Sequence, residues 1–102
     1  MNPAGAAAEA QALQYLQQRG LILVERNYSC RFGEIDLVMR DGKTLVFVEV
    51  KARSGSGFGG TAQAITASKI AKLSATAQFY LSQIRPTPPC RFDAVLVQGS
   101  RP

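Results

Sequence analysis

The chain has 102 residues with 12 Lys+Arg, 7 Asp+Glu, 2 Cys and no His, and its formal net charge is +5. This length suits one domain, so we expect residues 1–102 to fold together. The lack of histidine excludes Ser-His-Asp triads, imidazole bases and histidine zinc sites, and two distant cysteines do not make a thiolate metal site. Any chemistry must therefore use carboxylates and lysines, with or without a hydrated metal ion.

The net charge and the lengths of the apolar segments indicate which binding partner and which cellular compartment to expect. A net charge of +5 suits a polyanion such as nucleic acid, although solubility alone explains it equally well. The longest apolar runs are far shorter than a membrane span, and the N-terminus lacks the pattern of a secretory signal. We therefore expect a cytoplasmic protein without a membrane partner, in which Cys30 and Cys90 are reduced and buried.

The N-terminal segment predicts a helix and then a strand. Asn2-Pro3 is a typical helix start, because Asn caps free N–H groups and Pro suits the first helical position. The helix should run to about Arg19, where Gly20 supplies a left-handed cap. The apolar run that begins at Leu21 predicts a strand to about Tyr28.

A β-hairpin is the strongest local signal in the chain. Residues 33–40 (GEIDLVMR) and 43–53 (KTLVFVEVKAR) are both rich in residues that favour strands, and they flank Asp41-Gly42. This dipeptide is favoured in two-residue hairpin turns. With Asp41 and Gly42 as the two turn residues, Arg40 pairs with Lys43.

This register brings carboxylates together on two neighbouring strands. It pairs Asp36 with Phe47 and Glu34 with Glu49, and side-chain alternation puts both Asp36 and Glu49 on one face with Lys51. Asp36 and Glu49 are then diagonal neighbours, roughly 7–8 Å apart at the backbone. One lysine does not neutralise this cluster, so a hard divalent cation, Mg²⁺ or else Mn²⁺, fits the oxygen ligands.

The second half of the chain predicts a loop, a helix and a last strand. Residues 54–60 are too glycine-rich to fold alone. Residues 61–84 carry apolar side chains at helical spacing, with Thr66 able to cap a break, and Pro86 ends the helix. A strand over residues 91–98 follows. The predicted order is α-β-β-β-α-β, an α/β fold with a mixed sheet flanked by helices.

Glu9 is a further acidic residue that could join the hairpin carboxylates. It shares a helix stripe with Ala12 and Leu16, so its carboxylate can point inward, or it can lie at the edge of the stripe and reach solvent. If it points inward, most of the 7 acidic residues gather in one small pocket within a basic surface. That distribution is typical of a metal-dependent enzyme acting on phosphodiesters.

Several motifs resemble known families. Asp36 followed by Glu49-Val50-Lys51 on the next strand resembles the Asp…Glu-x-Lys core of the restriction-endonuclease-like nucleases. A longer set of positions covers nearly the whole chain and resembles the bacterial YraN-like family: Glu9, Ala12, Tyr15-Leu16, Asn27-Tyr28, Gly33-Glu34-Ile35-Asp36-Leu37-Val38, Phe47-Val48-Glu49-Val50-Lys51, Arg53, Phe58-Gly59, Lys69, Tyr80-Leu81 and Arg91-Phe92-Asp93.

The resemblance implies a restriction-endonuclease-like fold, similar to that of archaeal Holliday junction resolvases. In those enzymes a helix glutamate, a strand aspartate and a Glu-x-Lys pair build a Mg²⁺ site. The matching positions in this chain are Glu9, Asp36, Glu49 and Lys51. The resemblance therefore implies that Glu9 points into the site.

Residue pattern and resemblance together predict a Mg²⁺-dependent endonuclease that hydrolyses phosphodiester bonds of structured DNA, either branched or flapped. Asp36, Glu49 and the Val50 carbonyl would bind the metal, and Lys51 would position or deprotonate the attacking water. Glu9 could hold a water or a second ion. The competing interpretation is a solvated, charge-patterned strand face.

Residues around this site are candidates for supporting roles. Glu34 would contact the metal ligands or pair with Arg31 or Arg53. The segment that contains Arg53 and Phe58 could close over a nucleic-acid backbone or stack on a base, or simply connect two elements.

The second predicted helix carries a candidate nucleic-acid-binding face. Lys69, Lys72 and Thr76 form a polar stripe, although a solvated helix face has the same pattern. Nothing resembles a base-reading element, so we expect recognition of structure rather than sequence.

Two other classes of function stay open at this point. A nucleic-acid-binding or adaptor module would keep the fold without turnover unless a partner protein were present. A structural oligomer would use the Ala-rich first helix as an interface. The sequence also leaves open whether the nucleic acid is DNA or RNA and whether two copies assemble as a homodimer.

Overall fold

The computed structural model describes residues 3–53 and 66–98. These residues form two helices and four strands: α1 (Pro3–Gln18), β1 (Ile22–Cys30), β2 (Gly33–Asp41), β3 (Thr44–Arg53), α2 (Ala67–Leu81) and β4 (Cys90–Gln98). The predicted α-β-β-β-α-β order is confirmed. In this part of the chain neither helix is long and apolar enough to cross a membrane.

The strands form one mixed sheet in the order β1-β2-β3-β4. β2 is antiparallel to both β1 and β3, whereas β4 runs parallel to β3. A parallel neighbour needs a crossover connection, and the segment that contains α2 provides it. The predicted mixed sheet with flanking helices is confirmed, with α1 packed on one face and α2 on the other.

A glycine cap fixes the end of α1. The Leu21 amide donates to the Leu16 carbonyl at 3.1 Å, and the Gly20 amide donates to the Gln17 carbonyl at 3.0 Å. Gly20 has a φ of 95°, as this Schellman arrangement requires, and the predicted cap is confirmed. Leu16 and Leu21 are both buried, so the cap also sets where β1 leaves the helix. The predicted Asn2 cap lies outside the described residues.

The core has two layers, one on each face of the sheet. The buried residues of the α1 layer are Ala8, Ala12, Leu16, Leu21, Leu37, Met39, Val46, Val48 and Val97. Those of the α2 layer are Ile35, Val38, Leu45, Phe47 and Ala77. Because β2 and β3 are covered on both faces, charged side chains on these strands need a counter-ion or a position near the strand end.

The register of the β2–β3 hairpin differs from the predicted one by two residues. Asp41 pairs with Thr44, so Gly42 and Lys43 are the turn residues, and the predicted pairing of Arg40 with Lys43 is wrong. Gly42 has a φ of 62°. Glycine at the first central position is typical of a type II′ hairpin turn, whereas the predicted turn places it second.

The shift changes which residues face each other but not the side of the sheet, because side chains alternate with period two. Phe47, expected opposite Asp36, pairs with Val38. Asp41 belongs to β2 rather than to the turn, and its Oδ2 accepts from Arg91 of β4 at 3.1 Å. This exposed ion pair connects the end of the hairpin to the neighbouring strand.

Three residues are buried differently from expectation. Cys90 is exposed and Cys30 is half-buried, so neither is the buried apolar side chain predicted. Thr76, expected on a polar stripe, is fully buried, and its hydroxyl donates to the Lys72 carbonyl at 2.7 Å. The cause is the close approach of α2 to β2, since a Cβ added at Gly33 would lie 3.1 Å from Thr76 Oγ1.

Candidate active site

The pairing of β2 with β3 ends beside Asp36. The last pair is Leu37 with Val48, and beyond it the Val50 amide donates to Asp36 Oδ2 at 2.8 Å. Beyond Leu37 the ladder gives Asp36 no partner on β3, and Asp36 and Glu49 instead line one cleft. Two carboxylate residues thus lie side by side where the strands begin to separate.

Glu49 is a buried carboxylate held by two lysines. Only 8% of the residue is exposed, and its Oε2 lies 2.6 Å from Lys69 Nζ and 3.7 Å from Lys51 Nζ. Lys51 comes from the same face of β3, and Lys69 comes from the first turn of α2. A buried carboxylate requires such partners, since an unpaired one is strongly destabilising.

The start of α2 positions Lys69 over the sheet. Thr66 is the N-cap, as predicted, and its Oγ1 accepts from the Lys69 amide at 3.1 Å. Lys69 therefore occupies the third helical position, where Glu or Gln is usual. A cation in the first turn opposes the helix dipole. Its contact with Glu49, rather than helix stability, accounts for a lysine at this position.

The pKa of Asp36 reflects burial and the crowding of like charges. Burial is the largest of the effects that raise the pKa of Asp36 to about 6. The charges of Glu49 and Glu9 act in the same direction, whereas the Val50 amide and Lys69 favour the ionised form. Asp36 is therefore a carboxyl group that ionises close to neutral pH.

The two lysines that share Glu49 have pKa values shifted in opposite directions. The hydrogen bond to Lys69, followed by partial burial, lowers the pKa of Lys51, because a second ammonium group disfavours its charged form. The hydrogen bond to Glu49 raises the pKa of Lys69. Lys51, which lies further from the carboxylate oxygen, is thus the lysine that loses its proton more readily.

Glu9 approaches the same site from α1. With its side-chain nitrogen turned to Glu9, Asn27 of β1 donates to the two carboxylate oxygens at 3.3 and 3.2 Å. Asn27 has a φ of 53°, a conformation that asparagine adopts at lower cost than most residues. The charge of Glu9 also contributes to the raised pKa of Asp36. The structure thus brings the residues predicted as catalytic to one end of the sheet.

A cleft of about 390 Å³ opens beside these residues, between the strands and the start of α2. Lys72, predicted to contact nucleic acid, is exposed on its wall, whereas Lys69 is engaged by Glu49. Phe58 and the side chain of Arg53 lie outside the described structure. The lining residues are Gly33, Glu34, Asp36, Glu49, Thr66, Ser68, Lys69, Lys72 and Leu73.

Glu34 lies on the rim of this cleft and differs from expectation. It is exposed and lies beyond the end of the β2–β3 ladder, so it does not face Glu49 as predicted. Among the described side chains Glu34 has no ion pair. Arg31, one of its expected partners, lies over the ring of Phe32 at 4.9 Å instead.

The residues predicted to bind a metal match the donors that Mg²⁺ and Mn²⁺ use. Asp36 and Glu49 supply carboxylates. The N–H and C=O of one residue in an extended strand point to the same side, so the Val50 carbonyl opens toward β2, as does the amide that donates to Asp36. Within residues 3–53 and 66–98 no three His, Cys, Asp or Glu side chains form a preassembled metal cluster. The Glu49 carboxylate is instead occupied by the ammonium groups of Lys51 and Lys69.

Two contacts of the site differ from or go beyond the sequence prediction. The sequence predicts that Lys69 contacts nucleic acid, whereas it contacts Glu49, and the contact of Asn27 with Glu9 is not predicted. For Lys69 a signal exists, because a lysine three residues after the capping Thr66 stands where an acidic or amide residue is usual. For Asn27 the sequence holds no local signal, since its contact depends on the irregular conformation of β1.

The fold and the site define an α/β protein with the element order expected of the restriction-endonuclease-like class. The comparison with protein families gives a more specific result. Residues 8–97 match the model described as "Uncharacterised protein family UPF0102". The chain belongs to this family, and the predicted YraN-like relationship is confirmed.

Relatives of the same family are similar to nearly the whole chain. The UPF0102 protein of Nitrosomonas eutropha is 54% identical over 97 residues, which cover 95% of this chain and 84% of the relative. That of Janthinobacterium sp. strain Marseille is 56% identical over 92 residues, covering 90% and 75%. One from Neisseria meningitidis serogroup C is 50% identical over 99 residues, covering 96% and 86%.

Proposed function

We propose that this protein is a metal-dependent endonuclease that hydrolyses phosphodiester bonds in branched or flapped DNA. The observation that carries the proposal is the convergence of Asp36, Glu49 and Lys51 at the end of the β2–β3 ladder, beside a polar cleft. Carboxylates, a strand carbonyl and a lysine with a lowered pKa are suitable groups for hydrolysis assisted by a divalent ion.

Asp36, Glu49 and the Val50 carbonyl would bind Mg²⁺ or Mn²⁺. When bound, such an ion offsets the negative charge of the phosphate and lowers the pKa of water. Burial, followed by the charges of Glu49 and Glu9, raises the pKa of Asp36, and a cation at this place would stabilise the ionised carboxylate. Glu9, oriented by Asn27, would hold a water at the edge of the site.

Lys51 would take part in proton transfer. Its lowered pKa increases its neutral fraction, so Nζ can accept a proton from the attacking water. The water oxygen then bonds to phosphorus while a bridging P–O bond breaks, and the leaving oxygen takes a proton from solvent. The protonated Lys51 also stabilises the charge on the phosphate oxygens.

The start of α2 would bind the DNA backbone. The positive end of the helix dipole favours a phosphate there, and Lys69 and Lys72 line the same cleft. The net charge of +5 adds a general attraction to nucleic acid. Arg53 and Phe58 would contact the backbone or stack on a base.

A nucleic-acid-binding or adaptor module is the second candidate function. One observation favours it: Glu49 is already neutralised by Lys69 and Lys51, so this carboxylate does not depend on a metal ion for its counter-charge. Such a module would bind DNA through the same cleft and would not hydrolyse it without a partner protein.

The test combines end-labelled linear, flapped and four-way-junction DNA with Mg²⁺ or Mn²⁺. Wild type should cut a branched or flapped substrate, and Asp36→Asn and Lys51→Ala should each cut it at least about 100-fold more slowly. Glu34→Gln removes an exposed carboxylate from the rim of the same cleft and is the matched control. Binding without cleavage would favour the adaptor module, and the absence of both binding and cleavage would contradict both functions.

A further inference from the structure

We infer that Lys69 is a displaceable counter-ion: it neutralises Glu49 while no divalent cation is bound, and it turns to the DNA phosphate when Glu49 binds the cation. The second half of this inference rests on the proposed function. The exchange at Glu49 does not require DNA, so the two can fail separately.

The first support is the sharing of one carboxylate oxygen. Lys69 Nζ lies 2.6 Å and Lys51 Nζ 3.7 Å from the same Oε2 of Glu49. A divalent ion on this carboxylate would meet an ammonium group already bound to it, and like charges at such separations repel strongly in a partly buried site. Binding of the ion and retention of the Lys69 contact therefore oppose each other.

The second support is that Lys69 is the more movable of the two lysines. Its side chain is 37% exposed at the edge of the cleft, against 19% for Lys51. A lysine ammonium on a flexible four-carbon stem can change partners without any movement of the backbone. Lys51 belongs to a central strand of the sheet, so Lys69 is the lysine that leaves.

The third support is the position of Lys69 in the helix. Its amide is bound to the Thr66 cap at 3.1 Å, which fixes the start of the side chain at the positive end of α2. The helix dipole disfavours a cation there and favours an anion. When Glu49 releases Lys69, a phosphate at the start of α2 can accept hydrogen bonds from the ammonium group and from N–H groups of the first helical turn.

Metal binding without DNA tests the exchange. Isothermal titration with Mn²⁺ alone compares wild type, Lys69→Gln and Lys72→Gln. Lys72 lines the same cleft, so its variant controls for the general loss of one positive charge. We expect Lys69→Gln to bind Mn²⁺ about tenfold more tightly than wild type, because the competing charged hydrogen bond is gone, and Lys72→Gln to change the affinity less than about twofold.

Cleavage assays distinguish the proposed exchange at Lys69 from a merely structural role of this residue. Lys69→Gln should bind Mn²⁺ more tightly and yet cut DNA more slowly, with a higher KM, because the phosphate loses a partner. Equal Mn²⁺ affinity of Lys69→Gln and Lys72→Gln would overturn the inference, as would the absence of Mn²⁺ binding. Tighter Mn²⁺ binding by Lys69→Gln without any cleavage by wild type would keep the exchange and contradict the nuclease.

A measurement on the wild type avoids any effect of the variant on folding. Heteronuclear NMR of the lysine side chains should show that saturation with Mg²⁺ shifts the Nζ and Cε resonances of Lys69 and leaves those of Lys72 unchanged. Resonances of Lys69 that stay in place when Mg²⁺ saturates the site would overturn the inference.

Discussion

The Val50 amide on β3 donates to Asp36 Oδ2 on β2 at 2.8 Å. This bond follows the last main-chain pair of the two strands and holds a carboxyl group whose pKa is raised to about 6. Burial and the nearby carboxylates disfavour the ionised form, so the fold keeps Asp36 where its charge is destabilising. Groups held in this way are frequent at functional sites.

Replacement of Asp36 should therefore stabilise the protein at neutral and alkaline pH. The pKa of Asp36 is about 6 in the folded protein against an ordinary value of 3.8. The folded state binds this proton more tightly than the unfolded state, so stability falls as the pH rises between these two values. Asp36→Asn keeps an oxygen for the Val50 amide and removes the charge. We expect a gain of about 1 kcal/mol in the free energy of unfolding at pH 8, after allowance for partial exposure, and none near pH 3.

Urea unfolding in the presence of EDTA measures this difference. Glu34→Gln removes a carboxylate from the same strand that is exposed, and it should leave the free energy of unfolding unchanged at both pH values. A loss of stability in Asp36→Asn at pH 8 would contradict the assigned cost of the Asp36 charge.

Metal affinity should depend on pH through the same group. Asp36 must lose its proton before it binds a cation, and half of it is protonated near its pKa of about 6. We expect Mn²⁺ to bind about tenfold more weakly at pH 5 than at pH 7.5. Titration calorimetry over this range checks the expectation, and an affinity independent of pH would remove Asp36 from the metal ligands.

The sequence predicted the fold well because its strongest signals are local. Gly20 ends α1 and Thr66 caps α2 through contacts within a few residues, which is the range over which sequence patterns are informative. The turn between β2 and β3 was predicted in the right place but with Asp41 inside it. The pairing of Asp41 with Thr44 depends on which of two turn types forms. The contact of Asp41 with Arg91 on β4 joins residues that are far apart in the sequence.

Only the part of the candidate site that depends on side-chain alternation along a strand could be predicted from the sequence. A two-residue shift keeps Val38 and Phe47 on one face although the predicted register is wrong. Ile35 and Leu37 lie in opposite core layers, so the alternation is interrupted at Asp36 and does not by itself place Asp36 beside Glu49. The contact of Lys69 with Glu49 joins a helix to a strand, and no periodicity within either element specifies it. The same holds for the side-chain contact between Glu9 and Asn27.

DNA binding should show the salt dependence of phosphate contacts. The logarithm of the affinity should fall linearly with the logarithm of the salt concentration, with a slope of about −0.9 for each phosphate neutralised on duplex DNA. Lys72→Ala removes a cation from the cleft wall and should reduce the magnitude of the slope by about 1. Fluorescence anisotropy with labelled junction DNA measures both. Lys43→Ala, in the hairpin turn, is the control and should leave the slope unchanged; a flat salt response of wild type would contradict both proposed functions.

The Thr66 cap should affect both stability and the site. Thr66→Ala removes the oxygen that accepts from the Lys69 amide at 3.1 Å and should lower the free energy of unfolding by about 1 kcal/mol, whereas Thr66→Ser should retain most of it. A frayed first turn also weakens the hold of Lys69 on Glu49. Thr66→Ala should therefore tighten Mn²⁺ binding in the same direction as Lys69→Gln but by a smaller factor. Thermal unfolding and Mn²⁺ titration check the two effects, and equal losses for the Ala and Ser variants would show that the hydroxyl does not cap α2.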